Sequence, residues 1–504
     1  MILNSIISLV NFRRISQIDF FKQNPMEVQH EMLFSLLKKA SGTEVGKDYG
    51  FDSITSVKDF QERVPVQDYE GLRPIVERLR QGEKNLLWPG EIKWFAKSSG
   101  TTSSKSKFIP VTANAMEDCH FKGGKDVLAI FNNNFPDNDI FSGKCLTLGG
   151  SHQINNFSND SYYGDLSAIL IENLPFWTHF MRTPNQSIAL MDEWEAKLEK
   201  ITEATINENV TSLAGVPSWF LVLIKHVLAN TGKTNLLDVW PNLELFIHGG
   251  INFTPYREQY KALIPKQGMQ YMETYNASEG FFAIQDDPSC NGMLLMLDYG
   301  VFFEFLPTDQ VGREYPRVLT LDEVELNVDY ALVITTNGGL WRYMIGDTIR
   351  FVSKYPFRII ISGRTKLFIN AFGEEVIIDN AERALQEACT VTGAVVAEYT
   401  AAPMYMSAND KGCHQWLIEF EKEPESMPLF NEALDSSLQK VNSDYEAKRY
   451  KNITLQMPVI TMARKGLFFD WLKSHNKLGG QNKVPRLANN RDIIDEMLTM
   501  NQIH

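Results

Sequence analysis

The sequence predicts an α/β protein with a large N-terminal domain of mixed β-sheets and helices and a smaller α+β C-terminal domain. The chain has 504 residues, more than one hydrophobic core usually organises. Helix-period segments are followed by short apolar runs bounded by turn residues, a pattern typical of mixed sheets. The pattern changes near residue 364, so we place the two domains at 1–363 and 364–504 and expect the second to be mobile.

Helical patterns dominate residues 25–40, 113–131 and 190–230. In MDEWEAKLEKITEAT, which begins at Met191, apolar residues recur at intervals of three and four with charges between them. The strand-like runs that follow are LELFIHGG, GMQYMETYNAS, GVFFEFLP, YALVITT and FRIIISG. Their alternation with helices predicts a sheet whose strands deliver residues to one shared edge.

The C-terminal part begins with SGRTKLFINAFGEEVIIDNAERALQEAC, which predicts a strand or hairpin, a glycine-containing turn and a helix. The strand-like HQWLIEFEKE, a helical stretch through NEALDSSLQKVNSDYEAKRY and the run NITLQMPVI complete it. Together these elements resemble a small α+β module appended to the large domain.

Composition narrows the class of protein. A net charge of −13 disfavours a nucleic-acid binder, although local basic residues can still hold a nucleotide. The five cysteines are scattered without a CxxC pair, which indicates neither a zinc site nor a disulfide framework.

The segment MILNSIISLVNFRRISQIDFF favours an amphipathic helix over a targeting signal, and no stretch is long enough to span a bilayer. We therefore expect a cytoplasmic protein, a monomer or weak homodimer, with no membrane partner.

The segment KSSGTTSSKSKFIPVT, residues 97–112, combines hydroxyls, a glycine and three lysines ahead of an apolar strand-like run. Phosphate recognition uses backbone N–H groups, hydroxyl donors and ammonium charge. The spacing is not that of a Walker A loop. On composition alone a solvated polar loop is the better explanation of the segment.

Two further segments, considered together with this one, favour phosphate binding over a solvated polar loop. TYNASEG, residues 274–280, places Tyr275 and Glu279 at the end of a strand-like run. LWRYMIGDTIRF, residues 340–351, brackets a strand end with Arg342 and Asp347. Alone, Glu279 would be a helix-start residue and Asp347 a capping carboxylate. It is the ordered series that points to nucleotide chemistry.

The series SSGTT…K, TYNASEG, YMIGD, GRTK and the C-terminal GGQNKVPR resembles the adenylate-forming (firefly luciferase-like) superfamily. Within it, the chain is similar to the Gretchen Hagen (auxin-responsive promoter) family of acyl acid–amido synthetases, and to its bacterial branch. The resemblance runs from about residue 20 to the end. It implies ATP and Mg²⁺ as cofactors.

The resemblance also implies roles for individual residues. Glu279 falls in the position expected to hold Mg²⁺, and Asp347 in the position that grips ribose hydroxyls. The loop that holds the ATP phosphates is matched by Ser98, Ser99, Thr101, Thr102 and Lys107. The element that contacts the α-phosphate and adenosine is matched by Thr274, Tyr275, Ser278 and Glu279. Lys107, Glu279 and Lys483 form the implied catalytic set.

For several other positions, a purely structural role competes with the role that the resemblance implies. Phe302 falls where the family places an aromatic ring against adenine, but a core strand residue is an equal alternative. Gly249 and Gly250 resemble the glycine turn beside the purine, or a plain strand-ending turn. Arg364 and Lys366 lie in the GRTK hinge, where Lys366 could also be a surface lysine.

Two positions depend on the motifs alone. Lys483, in QNKVPR, resembles the C-terminal lysine that reaches the site during adenylation, although such a lysine is usually solvated. Ser104 stands where related sequences often have glycine, which leaves the geometry of the loop open.

The predicted function is activation of a carboxylic acid as an acyl-adenylate and transfer of the acyl group to an amine. The resemblance implies that this amine belongs to an amino acid. Alternatives are an acyl-CoA ligase, a non-catalytic nucleotide-binding relative and, least favoured, a kinase. The acid pocket is expected in GGSHQINNFS, NLPFWTHFMRTP and AGVPSWF, where Trp177, Trp219 and Phe220 either line it or belong to the core.

Overall fold

The computed structural model describes residues 2–98, 107–149, 155–156, 160–191, 193–251, 253–313, 315–365, 368–406, 411–452, 454–475 and 484–502. Within these ranges the α-helices alternate with strands, as the sequence predicts. In chain order the helices are α1 Ile2–Gln23, α2 Pro25–Ala40, α3 Glu44–Asp48, α4 Val57–Arg63, α5 Tyr69–Arg80, α6 Ala113–Ala115, α7 Lys122–Asn134, α8 Leu166–Glu172, α9 Gln186–Ala189, α10 Trp194–Thr205, α11 Pro217–Thr231, α12 Arg257–Leu263, α13 Ile378–Thr392, α14 Met427–Val441, α15 Ser443–Arg449, α16 Leu467–Ser474 and α17 Asp492–Gln502.

The β-strands are shorter and concentrate between residues 140 and 420. In chain order they are β1 Trp94–Ser98, β2 Lys107–Val111, β3 Lys144–Thr147, β4 Asn155–Asn156, β5 Tyr162–Gly164, β6 Arg182–Thr183, β7 Val210–Gly215, β8 Leu245–Gly249, β9 Gln270–Ala277, β10 Gly280–Ile284, β11 Met293–Leu295, β12 Val301–Pro307, β13 Asp329–Thr336, β14 Tyr343–Lys354, β15 Phe357–Arg364, β16 Phe368–Ile369, β17 Val376–Ile377, β18 Val395–Met404, β19 Cys413–Lys422 and β20 Val459–Ala463.

The largest sheet has eleven described strands in the order β12-β13-β14-β15-β11-β10-β9-β8-β7-β3-β6. From β6 to β9 neighbouring strands are parallel, and from β9 to β12 they are antiparallel. The parallel half is built from strand–helix–strand units, as in β7–α11–β8, which covers the sheet with helices. The structure confirms the predicted α/β class with a large N-terminal and a smaller C-terminal part.

Three smaller sheets accompany it in the described chain. A four-stranded sheet, β2-β1-β5-β4, contains the two described ends of the lysine-rich segment, Lys97 and Ser98 in β1 and Lys107–Val111 as β2. The C-terminal part contributes the hairpin β16-β17 and the sheet β18-β19-β20. Helices α13 and α14 pack on that last sheet, as the predicted α+β module requires.

The N-terminal helix α1 is held to the large domain by charge as well as by packing. The Arg14 guanidinium pairs with Asp126 at 2.7 Å and with Asp298 at 2.6 Å. The Tyr299 hydroxyl donates to Asp126 at 2.6 Å, so the carboxylate is satisfied inside the protein. Among the described residues, no helix is both long and apolar enough to cross a lipid bilayer.

The two largest hydrophobic cores of the described chain do not follow the order of the sequence. The first contains the N-terminal helices and strands β9 to β15. The second joins residues 146–264 to residues 369–487 in one continuous cluster. Hydrogen bonds cross between these two segments, from the Tyr256 hydroxyl to the Ala371 carbonyl at 2.7 Å and from Ser218 to Phe372 at 3.4 Å. In this arrangement the C-terminal part therefore shares a core with the parallel half of the large sheet.

A buried ion pair fixes the start of β14. Arg342, 4% exposed, forms hydrogen bonds with both carboxylate oxygens of Glu304, which is fully buried. The remaining guanidinium amine donates to the carbonyls of Gln61 at 2.8 Å and Val64 at 2.7 Å. Arg342 holds a left-handed backbone conformation, φ +44°, which this network stabilises. The network thereby ties strands β12 and β14 to the segment after α4.

We expect Glu304→Gln to lower the free energy of unfolding by about 3–5 kcal/mol, because the Arg342 guanidinium would remain buried without its counter-ion. The measurement is the midpoint of urea denaturation followed by fluorescence. The matched control is Asp329→Asn, which breaks the half-exposed Arg350–Asp329 pair, 2.9 Å, on neighbouring strands. It should cost less than about 1 kcal/mol. Equal shifts for the two variants would contradict the role given to burial.

Candidate active site

The candidate site lies at the edge where the parallel strands end. Strands β7, β8 and β9 stop at Gly215, Gly249 and Ala277, and parallel strands present their carboxyl ends at one edge. The register joins Gly249 to Thr274 and Gly215 to His248, so these ends are level. This edge is where an open α/β sheet normally binds ligands.

The TYNASEG segment forms the end of β9 and the turn into β10. The Thr274 hydroxyl donates to the His248 carbonyl of the neighbouring strand at 3.2 Å. Tyr275 is 3% exposed and stacks edge-on with Phe282, while Ser278 in the turn is half-buried. Burial, with Asp347 beside it, raises the pKa of Tyr275 well above its usual value, so its hydroxyl remains a donor.

Asp347 lies at the centre of a chain of charged contacts. Its carboxylate accepts a hydrogen bond from the Tyr275 hydroxyl at 2.7 Å and pairs with the Arg364 guanidinium at 2.7 Å. Asp347 and Arg364 are opposite each other on β14 and β15. Arg364 also pairs with Glu375 and lies over the ring of Phe368, 5.0 Å from its centroid. The hinge arginine of the sequence prediction thus connects the large sheet to the segment that follows it.

Lys107 begins β2 and faces the same cleft. The residue is 7% exposed, and burial is the main cause that lowers its pKa, opposed by the nearby Glu279 carboxylate. The next residue, Phe108, donates its backbone N–H to the Tyr69 hydroxyl at 2.8 Å, which fixes the strand that carries the lysine. A desolvated ammonium of this kind interacts strongly with an anion that replaces its water.

Glu279 is half-buried beside Lys107. Burial raises the pKa of its carboxyl, and the Lys107 ammonium opposes that shift. The Tyr343 hydroxyl is 3.5 Å from one carboxylate oxygen, a long contact. Among the described residues, no group of three His, Cys, Asp or Glu side chains is placed to hold a metal ion. A single carboxylate nevertheless fits Mg²⁺ bound mainly by phosphates and water, which takes only one or two protein ligands.

The two glycines after β8 are required for different reasons. A Cβ on Gly249 would come 2.5 Å from the Thr274 carbonyl oxygen, so only glycine allows the strands to pair here. Gly250 has φ +82°, in the left-handed region that disfavours other residues. The turn therefore exists because of these glycines, whether or not a purine lies against it.

Phe302 lies in the core. It is 3% exposed, belongs to the first hydrophobic core and packs edge-on against Phe60 with centroids 6.3 Å apart. Of the two roles that the sequence left open, the structure favours the core strand residue. The alternation of the run GVFFEFLP could not separate the two, because Val301–Leu306 is buried on both faces of the strand.

Several predicted residues lie outside the described residues. These are Ser99, Thr101, Thr102, Lys366 and Lys483. Ser98, the last residue of β1, is described and half-buried. Its strand pairs with β2, with Ser98 opposite Lys107. The two ends of the phosphate-loop motif are therefore adjacent.

The expected acid pocket is described in part. Phe220 is fully buried in the second core and packs on Phe246, so it is a core residue. Trp219 is half-buried, and the ammonium of Lys448 lies 3.9 Å from its ring centroid. The side chain of Trp177 and much of GGSHQINNFS lie outside the described part.

Sequence reasoning missed some residues that line the cleft. The lining joins Lys107, Gly346 and Arg364, from three of the motifs, to Asp68 and Tyr69. Asp68 caps α5 by accepting from the N–H groups of Glu70 and Gly71, so its helix-start position in QDYEGLR was a readable signal. Nothing in the sequence marked Tyr69, because its partner is a backbone N–H distant in the chain.

The arrangement suits a nucleotide. Lys107 can hold a phosphate, and the carboxylate of Asp347 can accept from the hydroxyls of a ribose. The strand-end glycines leave room for close approach of a flat ring to the backbone. Because the charges of both signs are partly desolvated, their interactions with a ligand are stronger than at the surface.

Comparisons with known proteins find relatives over most of the chain. Sequence models of the GH3 family match its N-terminal domain at residues 14–269, its central domain at 294–364 and its C-terminal domain at 379–492. Indole-3-acetic acid-amido synthetase GH3.3 of Arabidopsis thaliana is 23% identical, over 93% of this chain and 90% of the relative.

Two solved structures share the fold. The AtGH3.15 acyl acid amido synthetase in complex with 2,4-DB superposes with a TM-score of 0.64 and 18% identity, covering 97% of this chain and 96% of that one. A 2-hydroxyisobutyryl-CoA ligase has a TM-score of 0.58 and 13% identity, covering 95% and 92%.

We expect Gly249→Ala to destabilise the protein by about 1–3 kcal/mol, because the added methyl group would force β8 and β9 apart. Thermal unfolding measures the effect. Gly124→Ala is the matched control, since a Cβ at Gly124 on α7 meets nothing within 4 Å. That control should be neutral or stabilising by about 0.5–1 kcal/mol. A Gly249 variant as stable as the parent would show that the strand ends can separate freely.

Proposed function

Because this chain belongs to the GH3 family, we propose that it is an ATP-dependent acyl acid–amido synthetase, a ligase that forms an acyl-adenylate and passes the acyl group to an amine. The observation that carries the proposal is the cleft in which Lys107, Gly346 and Arg364 meet, since they come from three separate motifs of the family. The named activity of relatives such as the amido synthetase GH3.3 supports it.

In the first half-reaction an oxygen of the acid's carboxylate attacks the α-phosphorus of ATP. The bond to the bridging oxygen breaks, and pyrophosphate leaves with its electron pair. Lys107 holds the phosphates and offsets their charge, and Lys483 would add a second ammonium. Asp347 accepts from the ribose hydroxyls and fixes the position of the α-phosphate.

Glu279 and the ATP phosphates are the groups that would hold Mg²⁺, which withdraws negative charge from the phosphates when bound. The location of Glu279 beside Lys107 supports this assignment. Ser98, Ser99, Thr101, Thr102 and Thr274 are proposed as hydrogen-bond donors to the phosphates.

In the second half-reaction the acceptor amine attacks the acyl carbonyl carbon, and AMP leaves as the amide forms. The mixed anhydride needs protection from water during the exchange of substrates. We propose that residues 364–504 rotate about Arg364 and Lys366 to give that protection, a movement that must first open contacts of the second core, among them Tyr256–Ala371 and Ser218–Phe372. The acceptor is an amino acid, in keeping with the family.

We expect Lys107→Ala to lower the rate of ATP–pyrophosphate exchange by about 10²–10³-fold, because it removes a charge that stabilises the departing phosphates. Exchange is measured over a panel of aryl, indolyl and fatty acids. Lys93→Ala is the control, because Lys93 is exposed and lies just before β1. If neither the variant nor the parent catalyses the exchange, although the protein is folded and binds ATP, the chain is a non-catalytic relative instead.

We expect Asp347→Asn to raise the KM for ATP by about tenfold or more, since a neutral amide is a weaker acceptor for the ribose diol and loses its pairing with Arg364. A comparison of ATP with 2′-deoxy-ATP adds a specific readout. The parent should discriminate between them and the variant much less. If the variant discriminates between ATP and 2′-deoxy-ATP as strongly as the parent does, Asp347 does not bind the ribose.

The second candidate is an acyl-CoA ligase, which the fold similarity to the 2-hydroxyisobutyryl-CoA ligase favours. Mass spectrometry of products formed with CoA or with mixed amino acids separates the two. A thioester as the main product would replace the amide assignment, while ADP instead of AMP would indicate a kinase.

A further inference from the structure

Glu375 has a backbone conformation that is unusual for its residue type. Its φ is +42°, in the left-handed region that glycine and asparagine adopt most readily. Its backbone N–H donates to the Asn370 side chain at 3.3 Å, and its carbonyl accepts from the Asn442 side chain at 3.1 Å. A glutamate that its surroundings hold in this conformation indicates a role for the side chain.

The Glu375 carboxylate forms an ion pair with Arg364, the last residue of β15. The Nε atom of the same guanidinium pairs with Asp347 at 2.7 Å. No more than 21% of any of the three side chains is exposed, so solvent screens their interactions only in part. One arginine therefore joins the carboxylate proposed for the ribose to a carboxylate of the C-terminal part.

The turn just before Glu375 is docked on the large domain. The carbonyls of Ala371 and Phe372 accept hydrogen bonds from two side chains of that domain, at 2.7 and 3.4 Å. The backbone N–H groups of the same two residues donate to the Glu374 carboxylate, at 3.3 and 2.7 Å. The docked turn thus presents Glu375 to Arg364, and the ion pair breaks when the turn moves away.

Arg364 borders the same space as the lysine proposed for the phosphates. Lys107 and Arg364 line one cavity of about 40 Å³, whose wall also includes Phe368 and Ile377 of the C-terminal part. That volume has room for about three water molecules. Pockets for ligands of drug size occupy roughly 300–1,000 Å³. A nucleotide held by Lys107 therefore has to widen this cavity, and its phosphates come close to Arg364.

A phosphate and the Glu375 carboxylate then compete for one guanidinium. Arginine binds either anion through the same planar set of N–H donors, and a phosphate group brings more negative charge than a carboxylate. A phosphate beside Arg364 therefore weakens the pair with Glu375. By the same linkage, the pair with Glu375 weakens the binding of the phosphate.

We propose that Glu375 is a positioning residue that acts through Arg364, holding the guanidinium and the docked turn together until the phosphates of a nucleotide compete for Arg364. The proposal rests on the function proposed above, because that function brings ATP into this cleft. It adds the step by which ATP would release the 370–375 turn before residues 364–504 rotate. A purely structural ion pair would make the same contact without any coupling to the nucleotide.

The test is the affinity for ATP, measured by calorimetry without an acid substrate. Glu375→Asn removes the carboxylate and introduces a residue suited to the positive φ, and Glu375→Gln removes the charge but keeps the length. Both variants should bind ATP about fivefold or more tightly than the parent, because ATP no longer has to weaken the pair. The affinity for adenosine, which lacks phosphates, should not change. Asp379→Asn, which removes an exposed carboxylate on α13, is the control.

Hydrogen exchange of the turn gives a second readout. ATP should raise the exchange rate of the backbone amides of residues 370–375 in the parent, because a released turn loses protection. The same addition should have a smaller effect in the two Glu375 variants, in which the pair is already absent. Loss of structure cannot imitate the expected result, since a misfolded variant would not bind ATP more tightly.

The outcomes separate this role from the proposed function. Unchanged or weaker ATP binding in both variants would overturn the role of Glu375, and so would an equal gain in affinity for adenosine. Either result leaves acyl-adenylate formation standing if the parent catalyses ATP–pyrophosphate exchange. ATP binding without exchange in the parent would overturn the proposed function instead, while the affinities of the variants would still decide the role of Glu375.

Discussion

The contact between Tyr275 and Asp347 constrains the whole of the large sheet. The two residues are on β9 and β14, which are four steps apart in the strand order. In a flat sheet that separation is about 19 Å, yet the side chains meet at 2.7 Å. The sheet therefore curls at this edge, and the curl brings the turn before β10 towards the hinge arginine. The cleft is a product of that curvature.

Buried charge in this acidic protein falls into two kinds. Arg342–Glu304 and Arg449–Asp435 are closed pairs with further bonds to the main chain, and they hold segments together. Among the described residues Lys107 forms no ion pair and has only through-space interactions, the largest with Glu279. Its ammonium can therefore bind a phosphate without first breaking a pair with any of them. Some buried charges thus stabilise the fold, and others are available to bind a ligand. The net charge of the chain predicts neither the stabilising pairs nor the binding residues.

Much of the fold class and the core of the site could be predicted from sequence. The order of motifs named Lys107, Tyr275, Glu279 and Asp347, and the structure brings them together from two sheets. Lys107 begins β2 of the four-stranded sheet, while Tyr275 and Asp347 are on β9 and β14 of the largest sheet. Phe302 could not be resolved, since a buried strand shows no alternation that separates a core ring from a ligand contact. The partners of Arg364 and Lys448 were also unreadable, because they depend on how the C-terminal part packs.

The shared second core has a consequence for how the protein is made. Residues 146–264 bury their apolar side chains against residues 369–487, which a ribosome synthesises later. The parallel half of the large sheet therefore leaves the exit tunnel with part of its surface uncovered, and it must wait for more than a hundred further residues. The first core, which needs nothing beyond residue 359, can form earlier. Chaperone dependence during synthesis should thus concentrate on the parallel half.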